Sequence, residues 1–429
     1  MTLSGLKRQF GRPGSLLFGS TMATLGFGLI SAAIQARLLG PIGRGELAIA
    51  MVPGTLIAML LCFGLPDFFS RKAAQGAALG LLSKLAVLLS LAIGIVVVVP
   101  YAFIVELQAP IGSDPWWLLI AYAIGVPVFV YGYCLTAMLV GSGSWKFVAG
   151  LRVVPQISII CGLLVVALCS NNPTPLLVGV ILIGVSALAP LSSLLRPALH
   201  PRGALKWSMV REAFGFGMRG WPAGAIALLN QRVDLLVVTV IASPENTGLY
   251  AVATTLAAVL TGIANAVALP ARNRVAQGER EGVPRTVALA MLIALVVAAI
   301  TWLCLPLLIH VVLGDAFMSA APVMAILLFA QVPLAGVIVL TQCLIGAGKP
   351  GSPLAGELLA LITTTILILT MFPTFGILSA AFASGVGNIM SLIVLIALAQ
   401  KHIKRQPIHG YFFIPPAQLF SIVRGRENG

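Results

Sequence analysis

Gly40-Pro41-Ile42-Gly43-Arg44-Gly45-Glu46-Leu47-Ala48-Ile49-Ala50 recurs 203 residues later as Ser243-Pro244-Glu245-Asn246-Thr247-Gly248-Leu249-Tyr250-Ala251-Val252-Ala253, keeping the proline, the glycine four positions on and the Ala-aliphatic-Ala close. Two more echoes follow in the same order. Arg71-Lys72-Ala73-Ala74-Gln75-Gly76 is matched by Arg274-Val275-Ala276-Gln277-Gly278, one residue shorter. Leu135-Thr136, Leu139, Gly141 and Gly143 are matched by Leu340-Thr341, Leu344, Gly346 and Gly348 at an offset of 205. Self-similarity at a nearly constant offset marks two homologous halves. In a membrane protein such halves usually enclose a substrate path.

Composition places the chain in a membrane. Hydrophobic residues make up 59% and charged residues only 9%, against about 25% charged in soluble domains. Apolar runs of about 17–25 residues give twelve expected spans: 15–36, 46–65, 79–105, 116–140, 148–169, 174–195, 214–241, 248–269, 286–313, 320–345, 353–372 and 376–399. Lys7, Arg8 and Arg12 precede the first of these, as in a secretory signal. Its apolar run is longer than a signal core, and the repeat begins inside it, so it reads as retained. Pro53, Pro127, Pro155, Pro190, Pro222, Pro306 and Pro333 fall within or near the ends of these spans. They predict bent helices, which suit a protein that changes shape but are also common in membrane helices generally.

Charge sets the orientation. With the N-terminus in the cytoplasm, every one of the 26 Lys and Arg residues falls on an inward segment except Arg37, Arg44 and Arg232, while Glu46, Glu106, Asp114, Glu245 and Asp315 fall outside. The positive-inside rule then puts both termini in the cytoplasm. The net charge of +14 reads as a topology signal plus attraction to anionic headgroups. No basic face is joined to a soluble domain, so no nucleic-acid partner is expected.

Other classes of function find little support. Cys62, Cys134, Cys161, Cys169, Cys304 and Cys343 all lie in spans and read as packing residues. No metal-ligand spacing, phosphate loop or nucleophile elbow is present, and the connections leave no room for a catalytic domain, so the chain is not expected to be an enzyme. No cofactor is implied beyond a coupling proton or sodium ion.

Ala36-Arg37-Leu38-Leu39-Gly40-Pro41 with Gly43-Arg44-Gly45-Glu46-Leu47-Ala48 resembles the first outer loop of the polysaccharide-biosynthesis flippases of O-antigen type. These form the oligosaccharide-lipid branch of the superfamily that also holds the multidrug (MATE) exporters and the lipid II flippase. Gly64-Leu65-Pro66-Asp67, Leu139-Val140-Gly141-Ser142-Gly143 and Gly150-Leu151-Arg152-Val153-Val154-Pro155 look like later junctions of that family, and Asn230-Gln231-Arg232-Val233-Asp234 like the start of its second half. The resemblance covers nearly the whole chain to about residue 400. It implies an all-α polytopic membrane protein with twelve transmembrane helices in two six-helix lobes, 1–205 (cytoplasmic tail 1–14) and 206–400, followed by a basic tail, 401–429. The lobes would surround a central cavity that opens alternately to each side. The implied cargo is a polyprenyl-pyrophosphate-linked oligosaccharide moving to the outer leaflet of the bacterial inner membrane. Membrane lipids and a glycan polymerase or ligase are the implied partners. A MATE-like exporter, in which acidic residues carry the coupling ion, is the competing reading.

Pyrophosphate calls for arginine, whose planar fork binds phosphate oxygens in pairs and keeps its charge. Arg232 and Asp234 sit inside the seventh span, where each charge costs about 2.5–3.5 kcal/mol on insertion scales. Two residues apart on a helix, they face opposite sides. Arg232 is a cavity candidate unless it snorkels, and Asp234 is a candidate ion-coupling residue. Asn230 would share the face of Asp234 at four residues' spacing. Arg219 at the inner end of that span, Arg71 and Arg272 at equivalent inner ends, and outward Arg37 and Arg44 complete the substrate-binding candidates. Anchoring at headgroups or plain topology explains several of them equally well. At the offset of 205, Arg152 aligns with Glu357, an opposite-charge pair that would gate the inner side.

A reporter fused after Gly429 should read cytoplasmic, and one fused at Ser113 should read periplasmic. An inverted result at either site would break the two-by-six arrangement.

Overall fold

The computed structural model describes residues 12–108, 116–170, 173–194, 196–403 and 407–412. Among them helix is the sole regular structure. The helices are α1 (Arg12–Leu60), α2 (Leu65–Ala74), α3 (Leu79–Gln108), α4 (Trp116–Gly141), α5 (Trp145–Cys169), α6 (Pro175–Ser186), α7 (Leu188–Leu194), α8 (Trp207–Asn230), α9 (Val233–Ile241), α10 (Pro244–Ala276), α11 (Val283–Leu303), α12 (Leu305–Leu308), α13 (Ala321–Gly346), α14 (Pro353–Phe375) and α15 (Ile377–His402). Each expected span overlaps a described helix. By length and composition, nine described helices could cross a membrane, ten if α8 and α9 form one bent span.

The difference from twelve has two sources. The first two expected spans run together in α1, which is kinked where Gly40 leaves helical geometry (φ 64°, ψ −177°) ahead of Pro41. Proline there removes a backbone donor and fixes the turn. In the fourth, only Gly125–Gly141 of α4 enters the count among the described residues, although α4 itself, at 26 residues, is long enough to cross. The second span also ends earlier than expected. Helix stops at Leu60, passes through Phe63 (φ 47°) and Gly64 (φ 68°), and resumes as α2. Composition cannot reveal such a break, because the apolar run continues through it.

Large apolar side chains point outward. Leu168 is 86% exposed and Ile95 74%, as expected where acyl chains are the solvent. The cysteines, expected to be packing residues, divide evenly. Cys62, Cys134 and Cys343 are buried, whereas Cys161, Cys169 and Cys304 are exposed. A small apolar thiol is tolerated on either face in lipid.

Contacts gather the chain into two compact units. One comprises Ala23–Val252 with Val312–Phe317, and the other residues 12–22, 253–311 and 318–412. The repeat divides the sequence near 205/206, whereas packing gathers residues 207–252 with the first unit.

The repeated glycines have matching physical roles. In α4, the amides of Ser142, Gly143 and Ser144 donate to the carbonyls of Met138, Val140 and Leu139; in α13, those of Ala347, Gly348 and Lys349 donate to Cys343, Ile345 and Leu344. Both ends are Schellman-type caps with glycine in the left-handed region, Gly143 at φ 72° and Gly348 at φ 78°. Just before each cap a glycine lies against a neighbouring backbone. A methyl built on Gly141 would overlap the Ser70 carbonyl, and one on Gly346 the Arg272 carbonyl. The first echo is itself a contact within one unit. A methyl on Gly45 would overlap the Pro244 carbonyl oxygen, and one on Gly248 the Pro41 carbonyl oxygen. Equivalent residues meet reciprocally, as at a two-fold interface.

Gly45→Ala should therefore lower the thermal unfolding midpoint of the purified protein by several degrees, since overpacking costs about 1–3 kcal/mol. Gly150→Ala, where nothing lies within 4 Å, should not. Equal midpoints would mean that the crossing relaxes freely.

Candidate functional site

The first unit holds a junction between the broken second span and α8. The break leaves backbone carbonyls without helical partners, and the indole Nε1 of Trp221 donates to one of them, Leu60 O, at 2.5 Å. Phe63 packs between Trp221 and Phe214, with ring centroids 5.4 and 6.1 Å away. Gly217 and Gly64 approach too closely for side chains. Toward the end of α2, Lys72 pairs with Glu212 of α8 at 2.7 Å, and the Arg71 guanidinium lies 4.8 Å above the Phe216 ring. Asp67 and Arg71, four residues apart, are both exposed on α2. The arginine expected at an inner end, Arg71, thus lies against an aromatic face.

Arg232 lies at a second break. It precedes α9 with φ −135° and ψ −2°, and α8 and α9 meet there at 54°. The expected geometry of one continuous seventh helix is corrected accordingly: Arg232 is in the bend, and Asn230 and Asp234 belong to different helices. Arg232 is exposed and within electrostatic reach of the phenol of Tyr133 on α4, itself 43% exposed. Tyr133 stands about 12 Å along the helix from its end at Gly141, eight residues at 1.5 Å each. Both side chains are exposed. Within a hydrocarbon layer such groups belong against water or a ligand, because lipid cannot satisfy them.

Asp234 is only 9% exposed. Its Oδ2 accepts the Tyr250 hydroxyl at 2.8 Å, and its Oδ1 accepts the Leu235 amide at 2.7 Å. The carboxylate is engaged in packing between α9 and α10. Asn230 is half-buried at the end of α8. Arg37 donates from Nε to the Val312 carbonyl at 2.9 Å. Arg44 sits beside the glycine crossing, its Nε buried with no hydrogen-bond partner among the described residues. A desolvated guanidinium donor without an acceptor is costly, and an anion would relieve it. Arg152 is half-buried on α5. The side chain of Arg219 lies outside the described residues.

In the second unit Arg272 is exposed on α10 and donates to Gln342 Oε1 at 3.4 Å. Glu357, expected at an inner gate, is 8% exposed within α14.

Residues 34–322 match the profile of the polysaccharide biosynthesis protein family. The chain belongs to that family. No curated protein sequence matches it. Among solved structures, this family member is similar to the lipid II flippase MurJ in an inward closed conformation, with a TM-score of 0.75 at 13% identity, covering 96% of this chain and 93% of that one. It is also similar to an inward-facing MATE transporter of the MOP superfamily (0.65, 14%, covering 90% and 94%). A third is the MATE multidrug transporter DinF-BH (0.62, 16%, covering 96% and 98%). The polysaccharide biosynthesis protein thus has the helical fold shared by flippases and exporters of that superfamily.

Sequence reasoning singled out Arg232 but missed Tyr133, Glu212 and Phe216. Only the Gly-x-Gly spacing around Phe216 hinted at a close helix approach.

Tyr250→Phe should lower the unfolding midpoint, because losing the donor to a buried carboxylate costs about 1–3 kcal/mol. An unchanged midpoint would mean that Asp234 does not depend on this bond.

Proposed function

We propose that this protein is a flippase that moves a polyprenyl-pyrophosphate-linked oligosaccharide from the cytoplasmic to the outer leaflet of the bacterial inner membrane, by alternating access, for surface polysaccharide assembly. The observation that carries the reading is Arg232, an exposed arginine at the break between α8 and α9. A guanidinium there is suited to a pyrophosphate, which accepts bidentate hydrogen bonds. Arg44, with its buried and unpartnered Nε, supports an anionic cargo, and Arg71 over Phe216 is suited to first capture. The family and the likeness to MurJ support a lipid-linked substrate. Both termini are cytoplasmic in this reading. Protons or sodium drive the cycle, and a glycan polymerase or ligase receives the product.

The likeness to MATE transporters supports an exporter of small amphipathic molecules as the second reading. It is the weaker one, because intramembrane carboxylates are few beside the arginines, and Asp234, the candidate ion-coupling residue, is engaged by Tyr250.

Arg232→Ala should abolish delivery of lipid-linked glycan to the cell surface while the protein still inserts. Arg232→Lys should restore it only in part, because the bidentate fork is lost. Normal surface glycan in the Ala variant would show that Arg232 merely reaches toward headgroups.

A further inference from the structure

The second half carries a row of polar side chains, amides among them, at positions that are apolar in the first half. Thr261, Asn265 and Arg272 lie on one face of α10, at spacings of four and seven residues, over about 16 Å of helix. Gln331 and Gln342, eleven residues apart on α13, also share a face. The two rows meet. Thr261 Oγ1 donates to Gln331 Oε1 at 2.9 Å, and Arg272 donates to Gln342 Oε1. Asn265 Nδ2 donates to the Thr261 carbonyl at 2.9 Å.

These bonds leave a definite remainder. Gln331 and Gln342 each use their oxygen and keep an amide nitrogen free to donate; Asn265 uses its nitrogen and keeps an oxygen free to accept, among the described residues. Asn265 is exposed and both glutamines are half-buried. Gln331 stands near the middle of α13, ten residues or about 15 Å from its start. Facing hydrocarbon, such an amide would forfeit its hydrogen bonds at a cost of a few kcal/mol.

The repeat supplies an internal control. At offsets of 203 and 205 the equivalents of Thr261, Asn265, Gln331 and Gln342 are Ala58, Cys62, Val126 and Ala137. Ala58 and Val126 are each 1% exposed and Cys62 is 6% exposed. At Ala58 and Val126 the equivalent helices pack with apolar residues, and Cys62 is buried in the turn between α1 and α2, so helix packing at the positions of Thr261 and Gln331 does not require polar side chains.

We propose that the face formed by α10 and α13 is a carbohydrate-binding track, with Gln331, Asn265 and Gln342 presenting alternating donors and acceptors to sugar hydroxyls. A hydroxyl both donates and accepts, so an alternating row engages it without a fixed charge. This rests on the flippase reading and extends it: the amides of this unit hold the glycan of the proposed cargo.

The test uses the full chain in lipid nanodiscs and two probes, a bare polyprenyl pyrophosphate and the same lipid carrying an N-acetylhexosamine disaccharide. Wild-type protein should bind the glycosylated lipid at least tenfold more tightly than the bare one. In the Asn265→Ala/Gln331→Leu variant that ratio should fall below threefold. Since the readout is a ratio, a general loss of competent protein cancels. Should the double variant bind neither probe, the single Asn265→Ala change, at an exposed position, is held to the same direction: its ratio must fall at least twofold. A ratio unchanged by substitution, or a wild-type protein indifferent to the sugar, overturns the track while leaving the flippase reading in place. Folded wild-type protein that binds neither lipid overturns the flippase reading itself.

Discussion

A hydrocarbon layer offers no hydrogen bonds, and this constraint accounts for the placement of the polar groups described above. Backbone groups are closed into helices. Where a helix breaks, the freed groups are met by a neighbour, as Trp221 meets the Leu60 carbonyl. Side chains that could not be satisfied by lipid are paired inside, as Asp234 is with Tyr250. The residues that keep an open polar end, Arg232, Tyr133, Gln331 and Asn265, therefore carry information about where water or cargo belongs.

The same constraint explains the glycines. Without a hydrophobic drive between helices, association depends on close packing of small residues. Gly141 and Gly346 let one helix rest on the backbone of another, and Gly45 and Gly248 do so reciprocally. Their side chains are absent because any side chain would hold the backbones apart. Such positions survive in both halves of the repeat because each half makes the same contact.

Where the halves differ, packing is not the reason. α2 is separated from α1 by a strained turn, while its counterpart runs unbroken through α10. The amide row on α10 and α13 has apolar equivalents in the first half. These departures mark the places where one ancestral unit would have been turned to two tasks.

The all-helical class, the positions of the spans and the two-fold repeat were legible in the sequence, since hydropathy over about 20 residues and a constant offset are properties of the chain alone. Arg232 was legible too, as a charge in an apolar run. The two helix breaks were not, because apolar residues continue through Cys62 and Phe63 and nothing local forbids a straight helix at Gln231. Whether a polar residue is spent on packing or left open depends on which neighbour faces it. Only tertiary structure decided that Asp234 meets Tyr250 whereas Arg232 stays exposed at a bend, because a partner 16 residues away along the chain is brought in by helix packing and by no pattern a sequence displays.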